Sequence, residues 1–315
     1  MPSMNSALII DKPAGFTSHD VVARVRKIIG ERRVGHTGTL DPFATGVLVI
    51  LVGRATRLAQ FLSGAEKEYE AVIRLGYATE TGDVTGARLH THAKARSAHS
   101  FCKEEIEAAI ASFRGGIEQM PPMYSAKKIA GRKLYEHARR GGDIERQPIH
   151  VVIHKFELIE DDHPLLKTGD DGSADLRVRV LCSAGTYIRT LAEDLGKKLG
   201  IGAHLAELRR TRAGRFKLES AVTLEQLEML AVTNSLGTIL ISPNDALSHL
   251  PAIELNEEQA QRTRHGIDLP IEGGGASSWN DGAVVRMAKL GELIGVGRFD
   301  TTRAVVHPDV VLKTI

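Results

Sequence analysis

The stretch from Val34 to Leu48, VGHTGTLDPFATGVL, constrains this chain more than any other. It holds three glycines, three threonines, a histidine and one carboxylate, Asp41, and it leads directly into the apolar run VILV at 49–52. Glycines permit backbone conformations that bring the main chain close to a ligand. The apolar run predicts a buried strand that gives the polar loop a rigid base. We therefore predict a ligand-binding loop organised around Asp41.

Two other interpretations of this stretch follow from its residues alone. Asp41 followed by Pro42 is typical of a helix start, with Asp as the N-cap and Pro as the first helical residue. The spacing from Gly30 to Thr37 matches the phosphate-binding pattern G-x-x-x-x-G-K-[ST]. However, His36 stands where that pattern has its lysine, and a helical segment rather than a strand precedes the first glycine. The phosphate-loop interpretation is therefore rejected.

The whole stretch resembles a specific family motif. The run GHTGTLDPxATGVL is similar to the catalytic motif of the bacterial tRNA pseudouridine-55 synthases, the TruB family. The resemblance implies that Asp41 is the catalytic aspartate and that His36 contacts the flipped-out region of the RNA. It also implies an α+β fold of the pseudouridine-synthase type, in which helices flank a mixed, largely antiparallel central sheet.

A second motif, CSAGTYIRTLAEDLG at 182–196, agrees with the first. By its pattern it predicts a helix with Thr186 as the N-cap, whose apolar face is formed by Ile188, Leu191 and Leu195. On its own, Arg189 is typical of a surface ion pair. The resemblance implies instead that Arg189 pairs with the catalytic aspartate and that Tyr187 lines the base pocket.

The resemblance extends to two further residues of the base pocket. Lys67-Glu68-Tyr69 begins an alternating segment that predicts a strand, where a tyrosine usually packs against its neighbours. In the family this Lys-x-Tyr pattern carries the tyrosine that stacks on the target base, and Tyr69 stands there. Leu208 matches the apolar residue that packs on the base.

The N-terminal segment is predicted to support the site. A strand at 6–10 leads to Lys12 and Pro13, and a capping box of Thr17 and Asp20 begins an amphipathic helix that Gly30 ends. A similar Lys-Pro-x-Gly-x-Thr-Ser run packs near the catalytic loop in the family. We assign Lys12 to this structural support and, with the basic residues considered below, to the RNA-binding set.

The composition is that of an ordinary globular protein. The 315 residues are 42% apolar and 25% charged, and no apolar run reaches the length of a membrane span. No signal peptide is indicated, because residues 1–5 lack the basic and apolar regions of one. No disulfide framework is indicated either, because the chain has only two cysteines. We expect a cytoplasmic monomer.

Basic residues occur in three clusters although the net charge is only +2. Such clusters are usually solvated faces, but together they are compatible with RNA backbone contact. They comprise residues 24–33, 127–140 and 209–217. The second cluster falls in a segment at about 120–147 that the resemblance identifies as an insertion clamping the tRNA arm, with Lys128 and Arg132 as RNA-binding residues.

The composition shifts after residue 227, and the pattern predicts a linker at 242–251. A short helix at 257–263 and strands near 284–286 and 293–296 follow, which is similar to the small β-rich, PUA-like RNA-binding domain of many of these synthases. We predict a catalytic domain at 1–243 and a PUA-like domain at 244–315.

Other chemistries fit the sequence less well. The acidic loop at 161–172 lacks the glutamate that would complete a calcium loop, since counting twelve from Asp170 reaches Leu181. His150 and His154 lie in a strand-like segment and are expected to face solvent. There is no G-x-S-x-G elbow around Ser183, which argues against a serine hydrolase. No metal site is predicted.

Pseudouridine formation breaks the N1–C1′ bond of uridine, turns the base and joins C5 to C1′. Because no redox change or external group is involved, no cofactor is expected. Asp41 could attack C1′, add to C6 or remove the 2′ proton, and the sequence leaves these open. The rival prediction is a non-catalytic RNA-binding or tRNA-folding protein, which would be expected to lack Asp41, Tyr69 or Arg189.

Overall fold

The computed structural model describes residues 4–89, 97–123, 128–129, 132–133, 146–159, 165–169, 171–271 and 279–312. At positions 128, 129, 132, 133 and 168 it describes the backbone only. Most of the predicted insertion at about 120–147 and residues 161–164 of the acidic loop lie outside these residues, as do the side chains of Lys128 and Arg132.

Helices and strands alternate irregularly along the chain. The α-helices are α1 Ser18–Ile29, α2 Ala59–Leu62, α3 Lys103–Ala111, α4 Ile188–Leu199, α5 Leu224–Val232, α6 Pro243–Ala246 and α7 Glu257–Arg264. Short 3-10 helices lie at Gly53–Leu58, Ala98–Ser100, Leu218–Ser220 and Leu236–Thr238. The strands of the first part are β1 Ser6–Lys12, β2 Val34–His36, β3 Thr45–Val52, β4 Lys67–Leu75, β5 Gly115–Gln119, β6 Lys128–Ile129, β7 Arg132–Lys133, β8 Ile149–Leu158, β9 Leu166–Thr168, β10 Ala174–Cys182, β11 Ala203–Ala213 and β12 Phe216–Lys217. Those of the second are β13 Ala252–Glu254, β14 Leu269–Pro270, β15 Val284–Lys289, β16 Glu292–Asp300 and β17 Val305–Val311.

A ten-stranded sheet forms the body of the protein, with the central order β1-β3-β11-β4-β10-β8-β5. Its pairings among the described residues are antiparallel except for β3 with β11. This confirms the predicted mixed, largely antiparallel α+β fold. In β4 alternate residues are buried, as the sequence pattern predicts. The core between the sheet and helices α3 and α4 contains Ile73, Val178, Leu191 and Leu205.

Helix α1 has the predicted boundaries. Thr17 accepts a hydrogen bond from the backbone N–H of Asp20, and the Asp20 carboxylate accepts one from the Thr17 backbone N–H. Gly30 ends the helix with φ of 69°. The helix thus places its first residue, Ser18, against the predicted catalytic loop.

The close approach of β3 to β11 depends on Gly46. This residue has φ of +99°, and a Cβ built on it would lie 2.2 Å from the backbone oxygen of Arg210. A side chain there would therefore force the two strands apart, next to the loop that carries Asp41.

Replacing Gly46 with Ala is expected to lower the free energy of unfolding by about 3 kcal/mol, since it combines an unfavourable φ with a backbone clash. Gly30→Ala is the control, because it has a positive φ but open space around its Cα. It should lose only about 1 kcal/mol. Urea unfolding measures both, and equal losses would contradict this account of the β3–β11 junction.

A second, five-stranded sheet, β13-β15-β16-β17-β14, forms the C-terminal part of the chain. Helix α7 packs against it through Ala260. The small β-rich C-terminal unit predicted from the sequence is thereby confirmed. The predicted linker is wrong in part, because Ser242 caps the short helix α6 within it.

The structure excludes one alternative interpretation and corrects one local prediction. The Asp41-Pro42 dipeptide starts no helix and lies in a loop. Thr186 is not the N-cap of α4, since its hydroxyl donates to the Ser183 carbonyl and Tyr187 occupies the cap position. Tyr187 makes no capping hydrogen bond with its side chain.

Candidate active site

The buried side chain of Arg210 holds one side of the loop that carries Asp41. The guanidinium of Arg210 donates to the backbone oxygens of Gly38 and Thr39 at 3.1 and 3.3 Å, and to that of Val47 at 2.7 Å. Arg210 is only 2% exposed. Because these carbonyls all lie on the loop or on β3, Arg210 connects the loop to the sheet and limits its movement.

Lys12 and Ser18 hold the other side of the same loop. The Lys12 ammonium is completely buried and donates to the carbonyls of Pro13, Phe16 and Pro42. Ser18 Oγ accepts from the Leu40 N–H at 2.9 Å and donates to the Leu40 oxygen. The backbone on both sides of Asp41 is therefore fixed before any ligand binds.

Arg189, at the start of α4, forms a two-point contact with Asp41. Its Nε donates to one carboxylate oxygen of Asp41 at 3.0 Å and its Nη2 to the other at 3.1 Å. The Arg189 side chain is 5% exposed, whereas that of Asp41 is 34% exposed. The pairing that the sequence resemblance implied is present, and it presents an oriented carboxylate to the solvent side of the loop.

The pKa of Asp41 is shifted by opposing effects. Burial of the carboxyl raises its pKa above the ordinary value, and the charge of Arg189 acts in the opposite direction. The carboxylate of Asp83 also raises it. Asp41 is thus a more basic carboxylate than an exposed aspartate, which suits a group that takes a proton or attacks an electrophilic carbon.

Asp83 positions Arg189 from behind. Its Oδ1 accepts from the Thr81 hydroxyl and from both the N–H and the hydroxyl of Thr85, and its Oδ2 lies 3.8 Å from Arg189 Nη1. The same Nη1 donates to the backbone oxygen of Thr81 at 3.0 Å. These contacts fix the plane of the guanidinium, and hence the direction of the Asp41 carboxylate.

Asp83→Asn is expected to lower kcat by about 10- to 100-fold, because small misplacements of reacting groups have effects of that size. RNA affinity should stay within about threefold, since Asp83 is buried and lies away from the pocket surface. Single-turnover kinetics and filter binding measure the two quantities. A kcat equal to that of wild type would contradict this positioning role.

A pocket of about 250 Å³ opens in front of Asp41. It is lined by Tyr69, Tyr187, Leu208 and Arg189, so the five residues predicted from the sequence for catalysis and base binding meet at one site. Tyr69 is 8% exposed, and burial raises the pKa of its hydroxyl, which therefore stays neutral. Aromatic and apolar walls around one ion pair suit a flat, polar-edged ring such as a nucleobase.

Lys67 is a further cation of the pocket wall. Its ammonium donates to the backbone oxygens of Ser63 and Ala65 at 2.6 Å each. Burial, together with the nearby Arg210, lowers its pKa to about 8. Lys67 therefore closes the turn before β4 and keeps positive charge on the floor of the pocket at neutral pH.

The predicted RNA-binding residues differ in where the structure places them. Lys12 does not lie on an RNA-accessible surface, so its assignment as an RNA contact is wrong and its structural role is supported. His36 packs edge-on against His19, with ring centroids 5.5 Å apart, and is partly exposed. The side chains of Lys128 and Arg132 lie outside the described residues, although their backbones pair in the short hairpin of β6 and β7.

Two arginines of the third basic cluster form ion pairs within the protein. Arg209 pairs with Asp11 at 2.6 Å, and Arg212 lies 3.8 Å from Glu66 and from Glu68. His150 and His154, in contrast, are exposed as predicted. Among the residues that the structure describes, no group of three or more potential ligands could hold a metal ion.

The comparison with known sequences decides the family. Residues 26–188 match the TruB family pseudouridylate synthase N-terminal domain, and residues 189–247 match the tRNA pseudouridylate synthase B C-terminal domain. The chain belongs to the TruB family of pseudouridylate synthases. It is therefore an enzyme, an isomerase of uridine in RNA, and Asp41 and Arg189 lie within the matched domains.

Relatives of this TruB-family chain agree along most of its length. A protein named tRNA pseudouridine synthase B from Geobacillus thermodenitrificans is 44% identical over 268 residues, which cover 85% of this chain and 86% of that protein. The Bacillus anthracis protein of the same name is 43% identical over 269 residues, 85% of each chain.

Solved structures extend the agreement to the C-terminal sheet. A Cbf5-Nop10-Gar1 complex and an H/ACA RNP bound to a substrate RNA containing 2′-deoxyuridine contain similar chains, with TM-scores of 0.72 and 0.71 and identities of 27% and 26%. Each covers 98% of this chain and 85% of the other. RNA is thus the partner class of this TruB-family fold. Among the described helices, none is long and apolar enough to cross a membrane.

Proposed function

We propose that this enzyme converts the uridine at position 55, in the T loop of tRNA, to pseudouridine. The single observation that carries the proposal is the oriented Asp41–Arg189 pair at the edge of a pocket walled by Tyr69, Tyr187 and Leu208. The tRNA substrate is supported by the relatives named tRNA pseudouridine synthase B, which align with 85% of the chain.

The pocket suits a flipped base and no larger part of the RNA. Removing a uridine from a folded loop costs a few kcal/mol. Stacking on an aromatic side chain contributes about 1–3 kcal/mol per base, so Tyr69 offsets much of that cost. Leu208 covers part of the pocket wall, and Tyr187 lies beside Arg189 at its edge.

Asp41 is the group that performs the reaction. The N1–C1′ bond breaks, the base turns, and C5 joins C1′; the proton on C5 goes to solvent and N1 gains a proton. A carboxylate held ionised by Arg189 can attack carbon or remove a proton in this sequence. Arg189 orients Asp41 without being consumed, so it is a positioning residue.

The finer arrangement of the enzyme is also a proposal. His36 contacts the RNA around the flipped nucleotide, and the segment at about 120–147 clamps the T arm through Lys128 and Arg132. Residues 1–243 form the catalytic domain and 244–315 a PUA-like RNA-binding domain. The protein acts as a cytoplasmic monomer without metal or cofactor.

The site of modification can be mapped on an unmodified tRNA transcript. After incubation with enzyme, carbodiimide treatment followed by reverse transcription should give one new stop next to the T-loop uridine. A transcript with cytidine at that position is the matched control and should give no stop. A stop elsewhere in the transcript, or none with either RNA, would overturn the proposed substrate.

A further inference from the structure

A second pocket lies between the two sheets, far from Asp41. It encloses about 400 Å³, and the residues of its wall that bear charge are Arg33, Arg54, Arg57, Arg264, His265 and Asp309. The first three come from the main body, at the far end of β2 and β3, and the last three from the C-terminal unit. Both units therefore contribute to one strongly basic cavity.

The charges of this pocket are poorly balanced by the protein itself. Among the described residues, Arg33, Arg54 and Arg57 form no ion pair with a carboxylate. The one carboxylate of the wall, Asp309, is held by Arg298 at 2.9 Å. Among the described arginines of the wall, Arg264 alone has a carboxylate within ion-pair distance, that of Glu257 at 3.7 Å.

Arg54 shows the imbalance most clearly. Its Nη1 is buried, yet no hydrogen-bond acceptor among the described residues reaches it. A buried donor without an acceptor is unfavourable, and a bound anion is one of the groups that can satisfy it. Arg57 uses its Nη1 to reach the Val311 oxygen at 2.6 Å, which leaves the rest of its guanidinium available.

The pocket is part of a packed junction. Apolar residues of the C-terminal unit, Val296 and Val310, share one core cluster with Ala55 and Leu58 of the main body. The arginines from the two units are thereby kept at fixed separations, as a binding site for a small anionic group requires.

The distance from the active site limits what the pocket can hold. Strand β3 begins beside the catalytic loop at Thr45 and ends at Val52, two residues before Arg54. Its eight residues, at about 3.3 Å each, span roughly 25 Å, so about the length of this strand lies between the catalytic loop and the pocket. A ligand here does not touch the flipped uridine.

We propose that this pocket binds a backbone phosphate of the tRNA substrate outside its T arm, so that the enzyme holds the RNA at two separated points. Guanidinium groups bind phosphate through paired N–H donors, and a phosphate would supply acceptors for Arg54 and Arg57. The inference rests on tRNA being the substrate, and it adds the helical arm beyond the T loop to the contacts.

The test uses the full-length protein with Arg33 and Arg57 both changed to Gln, since both side chains are exposed and neither forms an ion pair with a carboxylate among the described residues. Arg32→Gln is the matched control, because Arg32 is an exposed neighbour that does not line the pocket. The dissociation constant is measured over a range of salt concentrations for full-length tRNA and for an isolated T-arm hairpin. Single-turnover rates at saturating RNA are measured in parallel.

The double variant should bind full-length tRNA about tenfold more weakly, and its salt slope, d log K/d log [salt], should fall by about one for each lost contact. Its affinity for the hairpin, its saturating rate and all properties of Arg32→Gln should stay at wild-type values. Equal losses for tRNA and hairpin, or equal losses for Arg32→Gln, would overturn the proposal. Binding of polyglutamate is measured as a probe for an acidic protein partner. If the double variant lost this binding but bound tRNA as wild type does, the proposal would also be overturned. An inactive wild-type enzyme with these binding results intact would instead count against the proposed function alone.

Discussion

Asp41→Asn is expected to reduce pseudouridine formation by at least about 10⁴-fold, because losses of this order follow the removal of a group that forms or breaks bonds. The substitution keeps the size and shape of the side chain, removes its charge and replaces one acceptor oxygen with an NH2 donor. An amide oxygen can still accept a hydrogen bond from Arg189, so the pocket should persist and tRNA affinity should stay within about threefold. Single-turnover rates and filter binding measure both quantities.

Asp175→Asn provides a matched control for this prediction. Asp175 forms a similar two-point contact with Arg74, at 2.7 and 2.8 Å, in the same sheet but outside the active-site pocket. Its loss should affect stability and leave the saturating rate unchanged. If both variants lost activity equally, general damage to the sheet rather than lost chemistry would explain the result.

Arg189→Gln is expected to show the second-largest effect, a loss of about 10²- to 10³-fold at neutral pH, as found when a charged or polar partner of the reacting group is removed. The substitution should also shift the pH dependence of the rate in a defined direction. Arg189 opposes the effect of burial on Asp41, so without it the pKa of Asp41 rises further. Because the ionised carboxylate is the active form, the acid limb of the rate profile should move to higher pH.

The rate profile from pH 5 to pH 9 measures this shift. Arg189→Lys is the conservative control, since it keeps a positive charge but cannot contact both carboxylate oxygens. It should restore the acid limb toward its wild-type position while recovering only part of the rate. An acid limb that stays in place in Arg189→Gln would show that Arg189 does not tune the pKa of Asp41.

The sequence could predict the main elements of the site because each has a local or family-like signal. The glycine-rich run around Asp41 and the strand that begins with Lys67 are visible as patterns, and the structure places Tyr69, Tyr187, Arg189 and Leu208 around one pocket with Asp41. The catalytic and binding roles of these residues stay predictions until they are measured. The two-sheet division was visible as a change of composition after residue 227 and as the linker pattern at 242–251.

Long-range contacts had no such signal. Arg210 is one member of a basic run in the sequence, and only the pairing of β11 with β3 shows that it points inward to the carbonyls of the catalytic loop. The available clue was that Arg210 lies two residues after Leu208, a predicted apolar position, and residues i and i+2 of a strand share one face. Asp83 likewise reaches Arg189 across 106 residues of sequence, which no periodicity records.

Thr186 illustrates the opposite failure, a local signal that the tertiary structure overrides. Threonine before an apolar helical pattern predicts an N-cap. In the structure its hydroxyl closes the preceding turn on Ser183, and the helix begins one residue later. Tyr187 is thereby placed at the edge of the pocket, where it serves the site rather than the helix end.

Release of tritium from C5 of uridine tests the central claim most directly, because C5 loses its hydrogen only when it becomes bonded to C1′. Unmodified tRNA transcript labelled at C5 is incubated with wild-type protein and with Asp41→Asn, and released tritium is counted in the water. The account predicts release by wild type, at most one tritium for each tRNA molecule, and none above background by Asp41→Asn. Equal release by both proteins, or tight tRNA binding without release by wild type, would contradict it.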